Sequence, residues 1–299
     1  MIYTLTLNPS IDHYIRIKRT EKGSVNRASS SRTVCGGKGI NVSIALSALG
    51  IGSTALGFCG GFTGDRILSE LDRLGIAHAF VRTSSETRIN TKLITDDSVT
   101  EINSPGSPVS ETETEELLHA VSRAKADDTV ILSGSVPPGF NVVPLLETIK
   151  RTGARFIADS SGETLRLCLG FYPYLIKPNA AELRQLTGGG ENIAACVRKI
   201  SGAAEKILVS DGEKGAYLFD GNGERTVGVT DAGLPVINPT GSGDSMIAGF
   251  IFGELNGVDP LVCAVSAGSA TAYSENIFDI ETFYRVLSSY RGFSENSYI

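Results

Sequence analysis

The sequence is poor in the residues that usually hold structural metals or disulfide frameworks. Its 299 residues include five cysteines and three histidines. The cysteines are odd in number, lie far apart and form no Cys-x-x-Cys pair, which argues against a disulfide framework or a zinc site and favours buried free thiols. The three histidines share no spacing with one another or with a carboxylate-rich motif, so neither a histidine metal site nor a catalytic triad is expected.

The sequence also lacks a basic face and any long apolar segment. Its net charge of −6 argues against a nucleic-acid partner, because such proteins bind the phosphate backbone with broad basic surfaces. The first residues contain no basic region followed by an apolar one, and no run reaches the roughly 18 apolar residues that span a bilayer. No membrane partner is expected, and a cytoplasmic location is predicted.

The composition is that of a globular α/β protein. Apolar residues make up 41% of the chain, charged residues make up 20%, and there are 34 glycines, a level typical of tight turns between strands and helices. From residue 129 onward, short apolar runs alternate with helical patterns, which predicts a mostly parallel sheet with helices on both faces. Such sheets bind ligands at the carboxyl ends of their strands.

Local patterns predict individual elements of this α/β body. Residues 2–7 alternate apolar and β-branched side chains and stop at an Asn-Pro turn, which indicates a first buried strand. Apolar residues recur with helical spacing near residues 67–74 and 117–124, and a further helix is expected at 141–151. Ser110 and Glu113 have the spacing of a capping box at the start of the second helix.

Two polar segments interrupt the α/β rhythm. Residues 12–35 and 88–104 are rich in Ser, Thr and Ile and alternate with period two, as half-exposed antiparallel strands do. We predict that they form a small β lid inserted into a single domain that spans residues 1–299. The last six residues, 294–299, are expected to form a loose end.

One short motif, Thr240 to Asp244, is the first candidate for chemistry. Gly241 and Gly243 allow the backbone to turn its N–H groups inward, and an apolar helix follows, which is the arrangement of an anion-binding helix start. Asp244 lies in the first turn of that helix, where it can face the anion and deprotonate an attacking hydroxyl. Taken alone, these five residues fit an ordinary glycine-rich turn as well as an anion site, because the helix dipole also favours an Asp at this position.

A second glycine cluster begins at Cys35. Gly36 and Gly37 permit close backbone approach around Lys38, which suits a phosphate, and Asn41 follows one helical turn later, which suits a sugar hydroxyl. The alternative is a loop with a solvated lysine. The sequence contains neither GxxxxGK[ST] nor GxGxxG, so any ATP is bound without a P-loop and a nicotinamide-dependent oxidoreductase is disfavoured.

Together the two clusters resemble the paired signatures of the ribokinase-like (PfkB) carbohydrate kinase family. The first signature covers residues 36–41 with Ser43, Gly50 and Gly60, and the second covers residues 238–249, with 241–244 in the GxGD positions. The segments NPSID, LSGSVPPG, DSSGE, IKPNAAEL and VSDGEKGA extend the likeness along the whole chain. The resemblance implies a three-layer α/β fold with a mostly parallel central sheet and a small β-sheet lid.

The resemblance also implies an ATP-dependent phosphotransferase. In that reading, Asp244 is the general base on the acceptor hydroxyl, and the amides of Gly241, Ser242 and Gly243 hold the transferring phosphoryl group. The family's nucleotide and Mg²⁺ positions fall on Lys177, Asn179, Glu182, Ser210, Gly212 and Gly215. Asp159 either contacts Mg²⁺ through water or caps the end of a strand.

The acceptor is expected to be a phosphosugar. A carboxylate such as Asp12 accepts hydrogen bonds from sugar hydroxyls but suits a phosphate badly. Four cations, Arg27, Lys38, Arg88 and Lys92, indicate an acceptor that already carries a phosphate. Arg27 and Lys92 could alternatively be exposed charges on the lid that do not contact the acceptor.

The segments GGKGIN, TRIN, TEIN and LSGSVPPG resemble the phosphosugar branch of the family, which makes Ser135 a candidate substrate contact. ETRINTKL favours fructose 1-phosphate as acceptor, and tagatose 6-phosphate or fructose 6-phosphate are the alternatives. A sugar-phosphate sensor without catalysis is a further alternative. A homodimer joined through the lids is implied by the resemblance.

Overall fold

A computed structural model describes residues 1–290, so the expectation for residues 294–299 lies outside the described residues. Within that range the chain forms strands that build two separate sheets. The strands are β1 (Ile2–Thr6), β2 (Ser10–Arg16), β3 (Ser30–Gly36), β4 (Thr54–Cys59), β5 (Ala77–Arg82), β6 (Arg88–Ile94), β7 (Val99–Ile102), β8 (Thr129–Ser133), β9 (Arg155–Asp159), β10 (Leu175–Ile176), β11 (Lys206–Ser210), β12 (Ala216–Asp220) and β13 (Gly223–Val227).

Helices connect most of the strands. They are α1 (Lys38–Ala48), α2 (Gly61–Arg73), α3 (Glu111–Val121), α4 (Val143–Thr152), α5 (Gly162–Leu169), α6 (Ala180–Thr187), α7 (Ile193–Arg198), α8 (Ser242–Asn256), α9 (Pro260–Ala272) and α10 (Ile280–Ser288). The predicted capping box is present, because Ser110 Oγ accepts from the Glu113 amide at 3.2 Å and the Ser110 amide donates to Glu113 Oε2 at 2.6 Å. In residues 1–290 no helix has the length and apolar character needed to cross a membrane.

The main sheet has nine strands in the order β13-β12-β11-β10-β9-β8-β1-β4-β5. Seven neighbouring strands pair in parallel, namely β11, β10, β9, β8, β1, β4 and β5, and β12 and β13 extend the edge as an antiparallel hairpin. The predicted mostly parallel sheet is thereby confirmed. The carboxyl ends of the parallel strands meet at one edge, which is where the glycine-rich segments before α1 and α8 also lie.

Helices cover both faces of the main sheet, so the three-layer architecture is confirmed. Strand β8 shows why both faces need a covering of helices. Successive side chains of a strand point to opposite faces, and those of β8 are apolar on both. Val130 and Leu132 pack with α3, α4, α5 and α6, whereas Ile131 packs with α1, α8, α9 and α10. Helices α8 and α9 cross closely at Gly249, where an added Cβ would lie 2.3 Å from the Cys263 carbonyl oxygen.

The small sheet has the strand order β3-β2-β6-β7 and comes from the two segments predicted to interrupt the α/β body. The expectation of purely antiparallel strands was wrong. The pairs β2–β3 and β6–β7 are antiparallel, but the central pair β2–β6 is parallel. The physical reason is that β2 and β6 belong to two separate hairpins, which enter the small sheet in the same direction and join side by side.

Candidate active site

A cavity of about 890 Å³ lies at the carboxyl edge of the parallel strands, between the main sheet and the small sheet. Most residues that the sequence analysis selected line it, although they come from distant parts of the chain. They are Asp12, Gly37, Lys38, Asn41, Arg88, Lys92, Ser135, Lys177, Asn179, Glu182, Ser210, Gly212, Gly215, Gly241, Ser242, Gly243 and Asp244.

Three selected residues do not line this cavity. Arg27 is exposed on the connection between β2 and β3, so the single chain does not bring it to the site as expected. Gly36 ends β3 behind Asp12, and an added Cβ there would lie 2.9 Å from the Asp12 carboxyl carbon. Asp159 is fully buried beneath the cavity floor.

Helix α8 begins at the floor of the cavity. Gly241 precedes the helix with φ of +87°, a left-handed conformation that favours glycine. The first N–H groups of a helix have no partner within it and attract anions. The Ser242 amide already donates to the Pro239 carbonyl oxygen at 3.2 Å, which differs from the expectation that all three amides of 241–243 receive the phosphoryl group. The Ser242 hydroxyl is buried without a hydrogen-bond partner among the described residues.

Asp244 is the third residue of α8 and lines the cavity while being only 6% exposed. Asn41 Nδ2, from α1, donates a hydrogen bond to Asp244 Oδ2 at 2.7 Å. Burial and the nearby Asp159 carboxylate raise the pKa of Asp244 to about 7, against the opposing effects of Lys38, Asn41 and Lys177. A carboxylate with its pKa near neutrality is suited to accept a proton from a hydroxyl group.

Two lysines share the Asp159 carboxylate. Lys38 Nζ lies 3.4 Å and Lys177 Nζ lies 3.2 Å from Asp159 Oδ1. The Lys177 side chain is only 4% exposed, and an added Cβ at Gly243 would lie 3.1 Å from its ammonium group. The Asp159 carboxylate, followed by Asp244 and Glu182, raises the pKa of Lys38 in spite of the opposing effect of burial. The Lys38 ammonium group is therefore held charged, and the Lys177 ammonium group lies close to the start of α8.

Asp12 is oriented by two neighbours that the sequence analysis missed. Ser10 Oγ donates to Asp12 Oδ1 at 2.8 Å, and Asn90 Nδ2 donates to the same oxygen at 3.1 Å. Asn90 Oδ1 in turn accepts from the Ser104 amide at 3.1 Å. Both residues lie within the quoted motifs NPSID and TRIN, so the motifs contained the signal although the spacing did not assign their role.

Arg88, on the small sheet, lines the cavity close to Ser135. Its guanidinium donates to the backbone carbonyl oxygens of Ser104 at 2.7 Å and of Asn8 at 3.0 Å, and it lies 3.5 Å from Ser135 Oγ. Burial lowers the pKa of Arg88, while Asp12 opposes this shift. The guanidinium has no carboxylate partner within 4.0 Å among residues 1–290, so its positive charge is available to an anion.

The sequence profile of the pfkB family carbohydrate kinases matches residues 5–273. The chain belongs to this family. PfkB carbohydrate kinases transfer a phosphoryl group from ATP to a hydroxyl group, and the ribokinase-like fold implied by the resemblance is confirmed by solved structures of the same architecture. The alternative of a nicotinamide-dependent oxidoreductase is excluded by this membership.

Individual members of the PfkB family are similar over most of the chain. A 1-phosphofructokinase from Borreliella burgdorferi is 38% identical, over 97% of this chain and 98% of the relative. A tagatose-6-phosphate kinase from Staphylococcus epidermidis is 36% identical, over 86% of each chain. The tetrameric inhibited form of phosphofructokinase-2 from Escherichia coli superposes with a TM-score of 0.84, at 28% identity, over 96% of this chain and 98% of that one.

The PfkB cavity includes apolar side chains that the sequence analysis missed. Ser210, Gly212 and Gly215, which the resemblance implied for the nucleotide, line the cavity. The apolar side chains come from the irregular segment before α8, from α8 and α9, and from the residue that follows α9. They are Val229, Val236, Met246, Val265, Ala272 and Tyr273. No periodic pattern marks Val229 or Val236, because neither belongs to a helix or strand.

The Mg²⁺ expectation fits the residues at the start of α6. Asn179 and Glu182 form a reciprocal capping box, in which the Asn179 amide donates to Glu182 Oε2 at 2.9 Å, and both residues line the cavity. No group of three or more His, Cys, Asp or Glu residues in the described part of the chain is arranged to hold a metal ion. Mg²⁺ commonly uses one or two carboxylates together with substrate phosphates, and Glu182 would supply one such oxygen ligand.

Asp159 fits a metal less well than Glu182. Its Oδ1 atom is shared by two ammonium groups, and its Oδ2 atom is buried without a hydrogen-bond partner among residues 1–290. Its position at the end of β9 matches the strand end named in the sequence analysis. Its observed contacts are those of a counter-ion for Lys38 and Lys177.

Proposed function

We propose that this PfkB kinase transfers the γ-phosphoryl group of ATP to the 6-hydroxyl of fructose 1-phosphate. The observation that carries the proposal is the arrangement around Asp244. A carboxylate with a raised pKa faces the cavity within the first turn of α8, beside Gly243 and the Lys177 ammonium group. Arg88 adds positive charge to another part of the cavity, where it lies beside Ser135.

In the proposed reaction, Asp244 accepts the proton of the sugar hydroxyl. The hydroxyl oxygen forms a bond to the γ-phosphorus, the bond from that phosphorus to the β,γ-bridging oxygen breaks, and its electron pair leaves with ADP. The start of α8, Lys38 and Lys177 stabilise the negative charge of the transferring group. Mg²⁺, held with Glu182, would neutralise charge on the phosphate oxygens.

The remaining contacts divide between the two ends of the sugar. We assign Asp12, held by Ser10 and Asn90, to the sugar hydroxyls. Arg88 and Ser135 bind the phosphate that the acceptor already carries, because a guanidinium is suited to phosphate oxygens. The names of two similar proteins, a 1-phosphofructokinase and a tagatose-6-phosphate kinase, support a ketohexose phosphate as acceptor.

The small sheet is proposed to act as a lid and to join two copies of the chain. Ile89 lies on the opposite face of β6 from the cavity and is 40% exposed, and Val99 and Ile102 on β7 are 62% and 59% exposed. By the β6–β7 register, Ile102 lies on the same face as Ile89 and Val99 on the other, so a second small sheet would cover Ile89 and Ile102. Arg27 lies on the same projecting part of the chain. Light scattering at micromolar concentration tests the homodimer, and a monomer would contradict it.

Substrate profiling tests the proposed reaction. ADP formation is measured with fructose 1-phosphate, tagatose 6-phosphate and fructose 6-phosphate in the presence of ATP and Mg²⁺. The highest kcat/KM is expected for fructose 1-phosphate. A preference for tagatose 6-phosphate would favour the second candidate, which the similarity to the S. epidermidis kinase supports. No turnover of any ketohexose phosphate by the folded protein would contradict the proposed function.

The Asp244→Asn variant separates a kinase from a non-catalytic sugar-phosphate sensor. Removing a general base lowers kcat by about 10² to 10⁴ fold, whereas phosphosugar affinity, measured by calorimetry, is expected to be retained. Equal phosphorylation by the variant and the wild type would contradict the assignment of Asp244 as base. The wild type binding phosphosugar without forming ADP would identify a sensor.

A further inference from the structure

Lys92 occupies a different end of the cavity from Arg88. Its side chain is 10% exposed, and its ammonium group lies 3.4 Å from Thr240 Oγ1 and 3.4 Å from Glu101 Oε1. Thr240 immediately precedes Gly241, the glycine that opens α8. Lys92 therefore extends from the small sheet to the segment that carries the anion-binding start of the helix.

The geometry of β6 separates the two cations. Side chains at alternate positions of a strand share a face, and Arg88, Asn90 and Lys92 all line the cavity. Four residues of extended chain span about 13 Å, so one strand holds one cation at each end of the site. Arg88 lies at the Ser135 end and Lys92 at the Thr240 end.

We propose that Lys92 is a catalytic residue that contacts the transferring phosphoryl group, and that it does not bind the phosphate already present on the sugar. The inference rests on the proposed kinase function and changes the role that the sequence analysis gave to Lys92. The phosphoryl group carries negative charge over its equatorial oxygens during transfer, and a fixed cation beside it lowers the barrier. Lys92 stays protonated throughout, since the hydroxyl proton goes to Asp244.

The surroundings of Lys92 keep it charged and fix its direction. Burial alone would lower its pKa, but Tyr14, Glu101 and Asp12 outweigh burial and raise it. Glu101 faces Lys92 directly across the β6–β7 pair. Glu101 is therefore a positioning residue, which directs the ammonium group toward Thr240. Because Lys92 belongs to the small sheet, this contact also makes catalysis depend on the placement of that sheet over the main one.

The test compares Lys92→Met with Arg88→Met, each of which removes a cation of similar length. For Lys92→Met we expect kcat with the preferred phosphosugar to fall about 10² fold or more. KM for the phosphosugar should change less than about threefold, because the lost interaction forms only in the transition state. For Arg88→Met we expect mainly a raised KM. Lys150→Met, at an exposed position of α4, is the matched control and should leave both constants unchanged.

A second measurement protects the test against a variant that folds poorly. Binding of ADP with aluminium fluoride and phosphosugar, which imitates the transferring group, is measured by calorimetry for the wild type, Lys92→Met and Lys92→Arg. We expect Lys92→Met to lose affinity for this mixture while keeping affinity for phosphosugar alone, and Lys92→Arg to retain part of both. A raised KM with unchanged kcat, or unchanged constants, would overturn the role of Lys92. Absence of turnover by the wild type would instead remove the proposed function.

Discussion

Asn41 in α1 donates its side-chain amide to Asp244 in α8 across 2.7 Å, although the two residues are 203 positions apart in the chain. The hydrogen bond favours the ionised carboxylate and so lowers the pKa of Asp244, whereas burial and Asp159 raise it. The balance leaves the pKa at about 7, so the base is about half ionised at neutral pH and becomes fully ionised above it. Asn41, for which a contact with a sugar hydroxyl was predicted, lines the cavity, and its amide nitrogen contacts the proposed base.

The acid limb of the rate profile should report the ionisation of Asp244. Because the reaction needs the ionised carboxylate, kcat should fall about tenfold for each pH unit below about 7. Asn41→Leu removes a hydrogen bond to the ionised form, so its acid limb should shift to higher pH, with activity partly recovered in alkaline buffer. Ser47→Ala, exposed on the same helix, should leave the profile unchanged. An unshifted limb in Asn41→Leu would contradict the coupling.

The raised pKa of Asp244 also predicts a cost in stability. The folded state binds this proton with a pKa of about 7, against an ordinary value of 3.8. Stability contributed by the proton is therefore present below about pH 4 and lost as the pH rises through 7. Asp244→Asn carries no such charge, so at pH 8 it should be more stable than the wild type by up to about 4 kcal/mol.

Calorimetric melting at pH 5 and pH 8 measures this difference. The gain in Tm of Asp244→Asn over the wild type should be larger at pH 8 than at pH 5. Asp127→Asn, at an exposed position, is the control and should show no pH-dependent gain. A smaller gain at pH 8 than at pH 5 would mean that the ionised carboxylate is stabilised by the folded protein, contrary to the proposed environment.

Gly243 is predicted to be needed for space beside the phosphoryl site and not for its backbone conformation. It lies within α8, where alanine is favoured over glycine by roughly 1 kcal/mol. The added Cβ would lie 3.1 Å from Lys177 Nζ, however, and would enter the cavity. Gly243→Ala should therefore melt no lower than the wild type but lose kcat by about 10² fold.

The control for Gly243→Ala is Gly52→Ala, where an added Cβ would meet no atom within 4 Å. Steady-state kinetics and thermal melting of both variants give the comparison. Gly52→Ala should keep full activity. If Gly243→Ala also keeps full activity, the start of α8 does not have to accommodate a phosphoryl group at this position.

The sequence was sufficient to predict the features that depend on local patterns. The glycines before Asp244 predicted a helix that begins beside them, and α8 begins at Ser242. The short apolar run from residue 129 predicted a buried strand, which fits a sheet whose two faces are both covered by helices. The period-two segments predicted the small sheet for a different reason, since a strand with one exposed face alternates polar and apolar side chains.

Contacts between distant segments were not predictable in this way. The parallel pairing of β2 with β6 depends on how two hairpins meet, and neither hairpin encodes it alone. Asp159 pairs with Lys38 across 121 positions, which no spacing rule connects. The sequence predicted Lys92 as a cation on a polar strand, but it did not predict the contact with Thr240, which is 148 positions away. Its place near α8 thus required the folded chain.

Asp159 and Glu182 are predicted to serve different purposes, as counter-ion and as metal ligand. Asp159→Asn leaves Lys177 as a buried ammonium group without its carboxylate, and breaking a buried ion pair costs about 3 kcal/mol or more. We therefore expect a lower free energy of unfolding in denaturant titrations. Glu182→Gln keeps the capping box, which glutamine also forms, so its stability should match the wild type.

The Mg²⁺ dependence of the two variants decides between these roles. Glu182→Gln removes a charged oxygen ligand, so the Mg²⁺ concentration that gives half-maximal activity should rise. Asp159→Asn should lower kcat, because Lys38 and Lys177 lose the carboxylate that positions them, while the Mg²⁺ concentration for half-maximal activity stays near that of the wild type. The opposite pattern, with a stable Asp159→Asn variant that needs more Mg²⁺, would make Asp159 the metal ligand. In that case the two lysines would be directed by the phosphates of the nucleotide and not by the protein.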